Sequence, residues 1–171
     1  MLFLIEFIIQ ELYMCTIISP EDTSYVLDHD IIVYKIATLD DNNNIRSFFF
    51  NKQDTIDLGK LLTTEITYSM PMFSCNCRPF SVEEIQAVNN ITVVEIHQGF
   101  HSFKCLEECV KQAKILYDNF HHCSTIIVCE CTVPKGSEVV NGYLNNLVSN
   151  QIIYNKTTDY VYYCYTRDLT I

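Results

Sequence analysis

The residues of this chain best equipped for chemistry are its nine cysteines and five histidines. Cys75-Asn76-Cys77 and Cys129-Glu130-Cys131 are Cys-x-Cys pairs, not the Cys-x2-Cys knuckle that folds around zinc. Residues two apart in a strand share a face, so Ile127, Cys129, Cys131 and Val133 form one apolar row. Cys105 and Cys109 lie four apart, on one side of a helix. Together with His121 and His122, which precede Cys123, they are the candidate metal set. The competing reading treats these thiols as small apolar side chains in a reducing compartment. The chain is therefore expected to need no metal and no organic cofactor, with Cys75 and Cys77 the best placed for a disulfide.

A second constellation is Gly99-Phe100-His101-Ser102-Phe103. Gly99 is expected to supply a special backbone conformation or a close approach. Phe100 and Phe103 would anchor the segment as a turn feeding the following helix. His101 lies between them and is the catalytic candidate, while Gly99, Phe100, His101 and Phe103 would line a ligand pocket at the helix entrance, where anions are favoured. A plain strand-to-helix connection explains the same residues. Only Gly59, Gly99, Gly136 and Gly142 are glycines, so neither a dinucleotide fingerprint nor a phosphate loop can form. A third cluster, Tyr160, Tyr162 and Tyr163 around Val161, puts aromatics on both faces of a strand. This pattern suits a surface that meets a partner.

Alternation and turn residues define the elements that must position these groups. Ile31–Ile36 and Ile45–Phe50 read as strands joined through Asp40-Asp41-Asn42-Asn43-Asn44 as a hairpin. Asp54–Leu62 reads as a short helix containing Gly59. Ser81-Val82-Glu83-Glu84 has capping-box spacing and opens another short helix to Val88. A strand follows at Ile91–Ile96. Leu106, Cys109, Val110, Ala113, Leu116, Tyr117 and Phe120 recur at helical spacing. Thr125–Val133 reads as a strand ended by Pro134-Lys135-Gly136. Further strands are expected at Val139-Val140, Leu147–Tyr154 and Asp159–Tyr165. The expected fold class is α+β: a mostly antiparallel sheet packed against one main helix, about 105–120, with short accessory helices.

The 171 residues suit one domain, 20–171, behind an apolar extension, 1–19, in which Met14 is an alternative start. Residues 1–9 are apolar except Glu6, but they lack the positive flank and cleavage site of a signal peptide. Glu6, Gln10 and Glu11 interrupt any membrane span. Ser19 and Pro20 suit a helix start. The net charge of −10 opposes binding to nucleic acid or to an anionic membrane, and no Lys or Arg precedes Lys35. Asn90-Ile91-Thr92 and Asn155-Lys156-Thr157 match the glycosylation triplet, which such an Asn- and Thr-rich chain produces by chance.

In order, the chain carries Tyr34-Lys35 in a strand, Gly99–Phe103, an alanine-bearing helix (Ala113) and Val133-Pro134-Lys135-Gly136. Gly142 and Val148-Ser149-x-x-Ile152 follow. Over about residues 30–154 this order resembles a small family of uncharacterised domains in large DNA viruses and phages. The resemblance implies a viral origin and carries no activity with it. The strand, Gly-aromatic turn and helix order is also similar to ADP-ribosyltransferase-like folds. Glu138 follows a strand, but no residues here match that family's NAD-contacting positions.

These readings converge on a non-enzymatic viral protein that works through protein contacts. It would be a virion component or bind a host factor in the host cytoplasm, and its partner could be viral, host or a second copy of itself. The alternative is a small-molecule, nucleotide-binding or ADP-ribosyltransferase-like domain with its pocket at Gly99–Phe103.

Overall fold

The computed structural model describes residues 17–18, 24–48, 55–69, 94–119, 125–142 and 145–163. Of these residues 56% are strand and 13% helix, in one helix, so the protein is mostly β and the α+β expectation is corrected. The expected helix at 54–62 shows why. Thr55 bridges Arg46, and the Ile56 amide donates to the Ile45 carbonyl at 2.8 Å. Gly59 then turns the chain at φ 76°, and the short strand β5 (Leu61–Thr63) follows. A left-handed glycine stops a helix and suits a turn, so the segment becomes a strand connection. The expected short helix at 81–88 and the helix start at Ser19-Pro20 lie outside the described residues, as do Cys75, Cys77, His121, His122 and Cys123.

The chain divides into two compact units. One comprises residues 31–61, 102–133 and 153–171. Its spine is β3 (Ile31–Leu39) paired antiparallel with β9 (Thr125–Val133) along the full length of both, from Ile31 opposite Val133 to Leu39 opposite Thr125. Both strands are rich in β-branched residues, which suit a pleated, buried surface. On the other edge of β3 lie β4 (Ile45–Ser47), opposite Ala37–Leu39, and Phe103 of β8 (Phe100–Phe103), opposite Tyr34. Beyond β9 lies β12 (Gln151–Tyr162), whose register shifts between Tyr154 and Lys156 and again between Thr157 and Val161. Such bulges bend a strand and locally interrupt its ladder.

Helix α1 (Leu106–Asn119) touches β3 and β9. Cys109, Ala113 and Leu116 are its buried residues, three or four apart as an amphipathic helix requires. Glu107 and Glu108 stand in its first turn, where carboxylates offset the helix dipole. Among the described residues no helix is long and apolar enough to cross a membrane.

The second unit comprises residues 1–30, 62–101 and 134–152. Here β7 (Val94–Gln98) pairs with both β1 (Ile17–Ile18) and β6 (Thr67–Ser69), while β10 (Glu138–Asn141) pairs with β2 (Tyr25–Val26) and β11 (Asn146–Ser149). Ile96, Val140 and Val148 form its buried cluster, with Ile66 and Tyr68 packed against them. Asn150 ends β11, so the strand expected over 147–154 is two. The Asn150 amide donates to the Glu138 carbonyl and its Oδ1 accepts from the Glu138 amide, both at 3.0 Å.

The β3–β4 turn is locked by one side chain. Asp40 accepts from the Asn42 and Asn44 amides, each at 2.9 Å, and from Arg46 Nε at 3.0 Å and Nη2 at 2.7 Å. Asn43 takes the left-handed conformation, φ 60°, that Asn tolerates best after Gly. The Arg46 guanidinium, then the Asn44 donors, hold the Asp40 carboxyl well below the usual carboxylate range. A carboxyl depressed in the folded state adds stability above its unfolded value, and that stability is lost as pH falls through the folded value. Asp40→Ala is therefore expected to lower the thermal midpoint at pH 7. Melting curves taken down a pH series should show the gap to wild type closing in acid.

Candidate functional site

Gly99 separates β7 from β8, and its φ is 144°. A Cβ at this position would lie 2.3 Å from Val148 Cγ1, inside any real contact. The glycine is thus required both by its conformation and by the close approach of the buried Val148. The residues after it are strand, not the turn the sequence suggests, and α1 begins only at Leu106. Phe100, His101 and Phe103 are half-buried, and Ser102 is buried. Everything that distinguishes Gly99 is explained by packing.

The tyrosines near the end of β12 divide. Tyr162 packs its ring on Tyr117, with centroids 5.5 Å apart, and its hydroxyl donates to the Val110 carbonyl at 3.4 Å. It pins β12 to α1. Tyr160 and Tyr163 stay 45% and 60% exposed. The Tyr160 amide is taken up by Thr158 Oγ1 at 3.3 Å.

Of the candidate metal set Cys105, Cys109, His121 and His122, only the two cysteines lie among the described residues. Cys105 caps α1, its carbonyl accepting from the Cys109 amide at 3.2 Å, and its thiol donates to Glu107 Oε2 at 2.7 Å. Cys109 is fully buried. Among the described residues no three His, Cys, Asp or Glu side chains gather as a metal site would require.

The structure instead builds a cluster around Lys35, which the sequence shows only as a single base in an apolar strand. Lys35 stands directly opposite Cys129, and Val33 opposite Cys131, so all four share one face. Cys109 of α1 lies near Lys35, and Tyr154 of β12, opposite Cys131, lies beside Cys129 and Cys131. Cys109, Cys129 and Cys131 are free thiols with no exposure. Burial pushes the Cys129 thiol up to about 12, and pushes Cys109 and Cys131 up further. Burial in apolar surroundings thus favours the neutral thiol at all three. Lys35 is half-buried. Burial lowers its ammonium from 10.5 to about 8, partly offset by Cys131, Cys109 and Cys129. The signal in the sequence is parity: Lys35 falls on the same side of its strand as Val33 and Ala37, where an apolar residue belongs.

No family model, curated protein or solved structure matches this chain.

Two outcomes follow from this geometry. Gly99→Ala should destabilise the protein by about 3 kcal/mol or more, combining backbone strain with overpacking. Adding Val148→Ala should recover only the steric part in a denaturant titration. For Lys35, a base depressed in the folded state penalises folding while the unfolded amine is protonated, and the penalty fades as pH rises from about 8 to 10.5. The stability of wild type relative to Lys35→Met should therefore improve as pH rises from about 8 toward 10.5. Paired denaturant titrations across this range should show the shift, and a difference that does not change with pH would refute it.

Proposed function

We propose that this is a non-enzymatic viral protein acting through contact with a protein partner, as a virion component or against a host factor. The observation that carries the reading is the pair of exposed tyrosines, Tyr160 and Tyr163, on either side of the anchored Tyr162. A tyrosine has few rotatable bonds, so a strand held in place by its neighbour presents two aromatic side chains at low entropic cost. Such residues are enriched at the energetic centre of interfaces. The net charge of −10 favours a protein surface with basic character over nucleic acid.

A second reading, a ligand pocket at Gly99–Phe103, has less behind it. The close approach that requires Gly99 is filled by Val148.

The test compares wild type with a Tyr160→Ala/Tyr163→Ala variant of matched thermal midpoint. A partner captured stoichiometrically by wild type from infected-host extract, or a self-associated species in sedimentation, should weaken at least about tenfold in the variant, as expected for two interface anchors. Equal association by both proteins, or a wild type that remains monomeric and captures nothing, would refute the proposal.

A further inference from the structure

We infer that Asn141 is a self-modification site. Its side-chain amide is lost through attack by the Gly142 backbone nitrogen, and opening of the paired ends of β10 and β11 sets the rate. The inference is independent of the protein-contact reading, because it concerns the other compact unit and needs no partner.

The residue types come first. Asn141-Gly142 is the only Asn-Gly pair in the chain. Joining an asparagine Cγ to the next backbone nitrogen closes a small, unstrained ring. A following glycine carries no Cβ to obstruct that closure.

The structure places the pair where the reaction is gated. Asn141 is exposed, ends β10 and stands opposite Leu147 of β11. The Gly142 amide donates to the Asn146 carbonyl at 2.9 Å, and Asn145 takes the left-handed conformation, φ 60°. Asn141 Oδ1 accepts from the Tyr25 hydroxyl at 3.2 Å. Each contact opposes reaction. Ring closure requires the peptide after Asn141 to rotate out of its extended setting. The attacking nitrogen must give up the proton that it now donates to Asn146. The side-chain carbonyl must leave Tyr25 to meet that nitrogen.

These contacts lie at a strand end, and strand ends open at a small fraction of the free energy of global unfolding. One residue further in, Val140 is fully buried opposite the equally buried Val148. The apolar pair confines the opening to Asn141 and the residues beyond it.

The reaction balances with water alone. The Gly142 nitrogen loses its proton and bonds to Asn141 Cγ. The side-chain nitrogen takes up that proton and leaves as ammonia, giving a cyclic imide. Water then adds at one of the two imide carbonyls. Opening at the side-chain carbonyl gives aspartate, and opening at the main-chain carbonyl gives isoaspartate. Either product puts a carboxylate where a neutral amide stood, in a chain already at −10. The isoaspartyl product also inserts one more carbon into the main chain. The ladder then cannot keep both the Asn141–Leu147 pairing and the Gly142–Asn146 hydrogen bond. Because β10 pairs with β2 as well as β11, the change loosens the end of β10 that Tyr25 also holds.

The experiment incubates the full chain at pH 7.5, native and in urea. Peptide mass spectrometry follows the amide-to-acid mass gain, and chromatography separates aspartyl from isoaspartyl peptides. Native conversion at Asn141 should be detectable but at least about tenfold slower than in urea, as a local opening requires. Tyr25→Phe should speed native conversion at least about twofold, the effect of one lost hydrogen bond, and leave the rate in urea unchanged. Asp40→Ala, which weakens the other unit, should leave the native rate unchanged. Equal rates in native protein and urea would overturn the inference, since no gate then exists. So would an Asn141 that converts in urea and never in native protein. Equal native rates in Tyr25→Phe and Asp40→Ala would also overturn it, by removing the strand end as the controlling step.

Discussion

The antiparallel ladder between β3 and β9 is the constraint on which its unit depends. Nine residues of each strand face each other without a shift, Ile31 to Leu39 against Val133 to Thr125. Because strand side chains alternate with period two, a slip of one residue would carry Val33, Ala37, Ile127 and Cys131 to the opposite face. The same register places Lys35 against Cys129. The polar centre of this unit is therefore a by-product of the pairing that buries its apolar residues.

The cost of that arrangement is electrostatic. A lysine on a buried face must lose part of its hydration, and the neutral thiols of Cys109, Cys129 and Cys131 stand among its neighbours. Burial lowers the proton affinity of Lys35, and Cys131, Cys109 and Cys129 offset part of that lowering. Cysteine in this chain thus serves as a small core residue that also sets the electrostatics of one neighbour.

The other unit depends on a steric constraint. Gly99 lets the chain pass so close to Val148 that no side chain could be added there. The segment that carries His101 is memorable in sequence because a glycine, two phenylalanines and a histidine stand together. In the structure the glycine answers to packing, and the residues after it continue as strand.

Much of the architecture was legible from alternation and turn chemistry. The strands at Ile31–Ile36 and Thr125–Val133, the Asp40–Asn44 hairpin and the helix from Leu106 all follow from residue type and spacing, because their patterns are long and their turn residues specific. The 54–62 segment misled because its apolar spacing suits a short helix, while the hydrogen bond from Ile56 to Ile45 and the left-handed Gly59 depend on a neighbouring strand. The fold class shifted to mostly β for the same reason. By itself, then, the sequence determined which segments alternate, where the chain must turn and that Gly99 is special, since these are set by local sterics and period. Only the tertiary structure decided that Tyr162 is an anchor while Tyr160 and Tyr163 are exposed, and that Lys35 sits among Cys109, Cys129 and Cys131. Those facts arise from register and burial between residues up to about a hundred positions apart, which no local pattern encodes.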